Sequence, residues 1–188
     1  MTLLIVGLWN PWDEYRHTRH NAWRIVCSSW ARDQKYAGLW PLQRVSSLWW
    51  WLSRGTIQYS HCSYPLALYF PWSYMNCSWP GTLKAMSYVD ASVDQVLLVY
   101  DDADIPERTT KMKMGWSHGG HNWLRDIFKH AWTNAFARLK CWIWRPSHPR
   151  AWLKDYVLWT MTNDELQFWI DRPAWTDEKI QQRIQSVW

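Results

Sequence analysis

Apolar positions along the chain fall into short buried runs that alternate with stretches of helical period. Leu3 to Leu8 is a continuous apolar run ending in the turn WNPW, which predicts a strand buried on both faces. Asn21 to Gln34 carries Ala22, Ile25, Val26, Ser29 and Trp30 on one side, a helical spacing. Thr56 to His61 alternates weakly and Leu66 to Phe70 is apolar, so both are expected as strands. Ser78 to Val89 reads as a helix, with Pro80 tolerated in its first turn. Val96 to Tyr100 (VLLVY) is the clearest buried strand, and the acidic loop DDADIP follows it. His121 to Ala131 predicts a helix; Leu139 to Trp144 and Tyr156 to Leu158 predict strands. Asn163 or Asp164 is expected to cap a short helix, and Thr176 to cap a terminal one. Trp40 to Arg54 gives no readable pattern.

Strands alternating with helices argue for an α/β protein: a single three-layer αβα domain over residues 1–188 with a mixed, mostly parallel sheet. In such sheets, sites form at the carboxyl ends of strands. Asn10 follows the first strand, Asp101 follows VLLVY, and His121 and Asn122 open a helix after Gly119 and Gly120.

Composition adds two anomalies, 20 Trp and only 7 Gly in 188 residues. Charge is also uneven. Residues 107–154 hold ten Lys or Arg against two acids, a local +8 within a net +5. A basic block interleaved with aromatics suits a phosphate-bearing partner. The four Cys lack a C-x-x-C spacing, so free thiols are expected and no zinc site. The start MTLLIVGLW lacks the basic region of a signal peptide, and no apolar run reaches 18 residues; a cytoplasmic protein without a membrane span is expected.

Ester hydrolysis needs a base to activate water, a group that orients the base, and donors for the developing oxyanion. His20 is the natural base, Asp101 can fix its tautomer, and Asn10, Asn76 and Asn122 supply neutral donors and acceptors. No serine or cysteine nucleophile motif is present, so water would attack directly. His118 and His121 lack a carboxylate or Cys partner nearby in sequence, and no metal is expected.

Six segments resemble the bacterial-type peptidyl-tRNA hydrolase family. They are GLWNPWDEYRHTRHN at 7–21, YMNCS at 74–78, YDDADIP at 100–106, GWSHGGHNWLRDI at 115–127, RLKCWIWRPSHPR at 138–150 and DYVLW at 155–159. Their order and spacing agree with the family over most of the chain. The resemblance implies hydrolysis of the ester joining a peptide to tRNA by His-activated water, with no cofactor, in a monomer that binds the acceptor end. It implies His20 as proton acceptor, Asp101 as stabiliser of its basic form, and Asn10 as the residue distinguishing blocked peptidyl ends. It implies Tyr15, Tyr74, Asn76 and Asn122 as contacts to the tRNA end.

Trp9, Trp12, Trp23, Trp79, Trp116, Trp123, Trp142, Trp144 and Trp159 stand where the family commonly has Gly. Glycine serves positive φ and close backbone approach. Strain is therefore expected at these positions. Trp12, Trp116 and Trp123 are expected to crowd the cleft; Trp142, Trp144 and Trp159 are expected beside strands away from the catalytic cluster. The alternative reading is an RNA-binding relative whose catalysis is impaired by these rings.

Overall fold

In a computed structural model of the chain, the described residues are 1–7, 9–30, 36–39, 43–45, 50–71, 78–115, 118, 121–131, 133–145, 152–171 and 173–188. The strands are β1 (Leu3–Gly7), β2 (Tyr36–Ala37), β3 (Gln43–Val45), β4 (Trp50–Tyr59), β5 (Cys62–Phe70), β6 (Val96–Asp102), β7 (Thr110–Met114) and β8 (Ala137–Trp142). The helices are α1 (Ala22–Trp30), α2 (Ser78–Val89), α3 (Asn122–Ala131), α4 (Leu153–Tyr156), α5 (Asn163–Asp171) and α6 (Pro173–Val187).

The strands form one sheet in the order β2-β4-β5-β1-β6-β8-β7, with β3 added against β4. Its centre, β5-β1-β6-β8, is parallel, and its flanks are antiparallel. The central strands are covered on both faces, which is why β1 and β6 read as unbroken apolar runs. One face packs Ile5, Leu97 and Val99 against Val26 of α1, Trp169 of α5 and Ile180 and Ile184 of α6. The other packs Leu4, Val6, Leu98 and Tyr100 against Ala85 of α2 and Trp123, Leu124 and Ile127 of α3. These are the three layers that the alternation of elements implied. α3 shows why the pattern works: Trp123, Leu124, Ile127, Phe128 and Ala131 follow the i, i+4 spacing of one buried stripe.

Several local expectations are corrected. The stretch Trp40 to Arg54 holds β3 and the start of β4. Its pairing partners supply the order that its sequence does not. β4 and β5 are longer than expected and meet at Ser60–His61, where φ is 47° and 65°. Positive φ at both central residues is the twist a two-residue hairpin demands, usually met by Asn-Gly. Tyr156 to Leu158 is not a strand: Leu153–Tyr156 is one helical turn and the chain then turns away. Three apolar residues are too few to separate a strand from a turn of helix. α5 is capped one residue earlier than expected. The Thr162 N–H donates to Glu165 Oε2 at 2.7 Å, and the Glu165 N–H donates to Thr162 Oγ1 at 3.3 Å. α6 begins at Pro173, so Thr176 lies within it; proline suits a first turn, where its missing N–H has no partner to lose.

The tryptophans are accommodated differently from expectation. Among the described residues, the non-glycine positions of positive φ are Ser60, His61, Asp90 and Arg108, and none is Trp. Trp123 is fully buried in the α3 layer rather than standing in the cleft. Trp23 lies directly over Gly7, where an added Cβ would meet its ring at 2.3 Å. The strand glycine leaves the room that the helix indole fills. The cost appears elsewhere. The indole N–H groups of Trp23, Trp30, Trp123 and Trp169 are buried without a partner among the described residues, at about 1–3 kcal/mol for each such group. Trp116 lies outside the described residues.

Candidate active site

β1 and β6 are adjacent and parallel, with Gly7 beside Val99. Their carboxyl ends therefore deliver Asn10 and Asp101 to the same edge of the sheet. His20 arrives from a short 3-10 turn, Arg19–Asn21, that leads into α1. The His20 Nδ1 lies 2.5 Å from Asp101 Oδ1, and both side chains are buried. Asp101 is held below its ordinary pKa: burial pushes it up, but the charge and hydrogen bond of His20 pull it down further. An ionised carboxylate can only accept, so Nδ1 carries the proton and the basic lone pair of the ring is on Nε2. Burial lowers the His20 pKa, while the Asp101 charge and hydrogen bond raise it by more, leaving it above the ordinary imidazole value.

Two further residues back the site: Asn21, which carried no expected role, and His121, expected at the opening of a helix beside it. Asn21 is fully buried and brackets the Asn10 backbone: its Oδ1 accepts the Asn10 N–H at 2.8 Å, and its Nδ2 donates to the Asn10 carbonyl at 3.0 Å. Its place directly after His20 was the available signal. His121 packs 6.1 Å from the His20 ring and edge-on to Tyr100 at 4.9 Å. Burial pulls its pKa down to about 4, so it is neutral near pH 7. Its Nδ1 is buried with no hydrogen-bond partner among the described residues.

The backbone of His20 is fixed from the other side by the chain after α4. The His20 N–H donates to Val157 O at 2.9 Å, the Arg19 N–H to Trp159 O at 3.4 Å, and the Met161 N–H to His17 O at 2.9 Å. Arg19 is buried, donates Nε and Nη2 to Glu165 at 2.9 and 2.7 Å, and lies over the Tyr156 ring. Trp159 is thus a neighbour of the His20 turn, which corrects the expectation that it lies away from the cluster.

Tyr15 is half-buried and meets Trp12 edge-on, with ring centroids 6.3 Å apart. Tyr74 and Asn76 lie outside the described residues. Of Asn122 only the backbone, at the first turn of α3, is described. Among the described residues, no group of three His, Cys, Asp or Glu side chains could hold a metal ion. Cys27, Cys62 and Cys141 are free thiols, and Cys77 lies outside the described residues.

A buried His–carboxylate pair at the carboxyl edge of a parallel sheet is suited to general-base activation of water. The comparisons with known proteins agree on one family. The family model described as peptidyl-tRNA hydrolase matches residues 4–184. The chain is 35% identical over 176 residues to the peptidyl-tRNA hydrolase of Paenarthrobacter aurescens, covering 92% of this chain and 87% of that protein. It is 34% identical over 165 residues to that of Marinobacter nauticus, covering 88% and 80%. Among solved structures, the peptidyl-tRNA hydrolase of Acinetobacter baumannii superposes with a TM-score of 0.76 at 27% identity, covering 97% of this chain and 92% of that one. With its fold, its motifs and these relatives in agreement, the chain belongs to the peptidyl-tRNA hydrolase family.

Proposed function

We propose that this protein hydrolyses the ester between a peptide and the 3′ ribose of tRNA, using water activated by His20. The observation that carries the reading is the buried His20–Asp101 pair, 2.5 Å apart at the carboxyl end of β6. His20 Nε2 takes a proton as the water oxygen attacks the ester carbonyl carbon. Negative charge develops on the carbonyl oxygen, and amide donors such as those of Asn10, Asn76 and Asn122 are suited to receive it. Collapse breaks the bond to the ribose oxygen, and the imidazolium returns its proton to that leaving group. The products are tRNA and a free peptide carboxylic acid, which ionises by losing its proton to solvent. Asp101 stays ionised and stabilises the imidazolium that forms in between. Asn10, whose backbone is held by Asn21, reads the blocked amino end in this proposal, and Tyr15, Tyr74, Asn76 and Asn122 serve the tRNA end.

A monomeric, cytoplasmic enzyme fits this substrate. No helix among the described residues is long and apolar enough to cross a membrane. The alternative of an RNA-binding relative with a cleft closed by Trp gains no particular support, because Trp123 turns into the core.

The test is incubation of the purified protein with peptidyl-tRNA in the presence of EDTA, following release of free tRNA. Turnover is expected with EDTA present. His20→Ala is expected to lower the rate by about 10²–10⁴-fold with tRNA affinity nearly unchanged. Full turnover by His20→Ala would remove the histidine from the mechanism.

A further inference from the structure

Residues 152–159, from the residue before α4 to the turn after it, expose apolar side chains that neither the fold nor the hydrolytic step uses. Trp152 is 72% exposed, Trp159 54%, Leu153 41% and Leu158 39%. These are four of the ten exposed large hydrophobic side chains among the described residues, and they fall within eight consecutive positions. Scattered exposed apolar residues need no explanation, but four on one short segment make that segment a candidate binding surface. This group adjoins the site. The Val157 and Trp159 carbonyls accept the His20 and Arg19 N–H groups, so the exposed rings begin one residue from the catalytic turn. Trp159 stacks edge-on against Tyr156 at 5.7 Å, and Tyr156 is held under Arg19, so the Trp159 ring is backed by a rigid support.

Charge decides which part of the substrate this surface receives. Within residues 152–164 the charged residues are Lys154, Asp155 and Asp164, a net −1, and both acids are exposed. The adjoining turn adds Asp13 and Glu14 against Arg16, with Arg19 consumed by Glu165. Four exposed cations, Lys111, Lys113, Arg125 and Lys129, lie instead on β7 and α3. A phosphate backbone is favoured there and disfavoured near residues 152–164. The ester divides the substrate into a polyanion and an uncharged acyl chain. The apolar surface suits the second.

We propose that Trp152, Leu153, Leu158 and Trp159 form a subsite for apolar side chains of the peptide, giving this hydrolase a preference for peptides with apolar residues near the ester. The proposal rests on the hydrolase reading above. Bulky rings on the surface bury area against a Leu or Phe side chain and offer nothing to glycine, so discrimination follows from apolar contact alone.

The experiment compares one tRNA carrying either N-acetyl-Leu-Phe or N-acetyl-Gly-Gly, with calorimetric binding of the corresponding peptide amides in parallel. The expected ratio of kcat/KM is about tenfold in favour of Leu-Phe, equivalent to about 1.4 kcal/mol. In W152S/W159S that ratio is expected to fall to about one, whatever happens to the common rate. A ratio near one in the parent chain, or an unaltered ratio in the double variant, overturns the subsite and leaves the hydrolase standing. If neither ester is cleaved, the hydrolase reading fails. The subsite then stands only if the Leu-Phe amide binds the parent chain and not W152S/W159S, and falls if both bind alike or neither binds. Self-association that the double substitution abolishes, with an unaltered ratio, would assign the surface to a second copy of the chain and overturn the proposal.

Discussion

His20 is subject to two opposed influences, and their balance makes its role measurable. Burial favours the neutral ring; the charge and hydrogen bond of Asp101 favour the protonated one and prevail. If His20 is the base, as proposed, it must be neutral to act, and kcat/KM is expected to fall as pH drops through a value above that of an ordinary histidine. In Asp101→Asn the burial remains and the charge is lost. The acid limb of the profile should move to lower pH, and the plateau rate should fall, though less than in His20→Ala. A pH profile of both proteins checks this, and an unmoved limb would remove Asp101 from its assigned part. The same shifts act on stability. The raised His20 value stabilises the fold below the unfolded imidazole pKa, and that contribution is lost as pH rises through the folded one. The lowered Asp101 value contributes above the unfolded carboxylate pKa and is lost as pH falls through the folded one. The pair therefore supports the fold most between those two unfolded values.

Among the elements, Glu165 joins more structure than its position in sequence suggests. It accepts from the Thr162 N–H at the start of α5, pairs with buried Arg19, and so ties α5 to the turn that presents His20. Removing one partner of a buried pair strands the other charge, at about 3–5 kcal/mol. Glu165→Ala is expected to lower unfolding stability by about that amount in urea titration and to reduce kcat, because the strap over residues 17–20 loses its anchor. A loss of stability with unchanged kcat would show that the strap positions itself without Glu165. This connection was not legible in the sequence, since nothing in the spacing of Arg19 and Glu165 marks them as partners. The buried strands β1 and β6 and the helices α2 and α3 were legible because each carries its burial pattern within itself. β7 was not: TKMKM carries two Lys among five residues, and its strand is set by pairing with β8. α4 was misread because one helical turn with a single buried aromatic, Tyr156, has no periodicity to show. The site was legible through motifs more than through chemistry. The candidate residues Asn10, His20, Asp101 and His121 could be named from strand ends and their flanking strings, whereas the hydrogen bonds of Asn21 to Asn10 and the ring contact of His121 with His20 come only from the fold.

Across the whole molecule, the uneven charge resolves into parts with different duties. The basic block of residues 107–154 seemed uniform in sequence, yet the fold divides it. Arg138 is buried, donates to the Gly115 carbonyl and lies 5.6 Å from the centre of the Phe128 ring, so it serves the core. Lys140 is paired with Asp102, and Arg145 with Asp104. Lys111 and Lys113 stand directly across from Lys140 and Arg138 in the β7–β8 ladder, a like-charge register that costs stability within the sheet. Both are exposed and make no ion pair among the described residues. An arrangement that places unneutralised cations on a sheet edge, at a cost, is relieved when a phosphate backbone lies across it. Binding of deacylated tRNA is therefore expected to weaken steeply with salt. Lys111→Ala with Lys113→Ala should reduce the magnitude of the log Kd against log salt slope by about 1.4–1.8, the contribution of two phosphate contacts. The same double variant should be no less stable than the parent, since the like-charge register is removed. Arg138→Ala should instead lower the melting temperature and leave the slope as it is. Equal slopes in the parent and the double-lysine variant would place the tRNA on another face and dissociate the basic edge from the substrate.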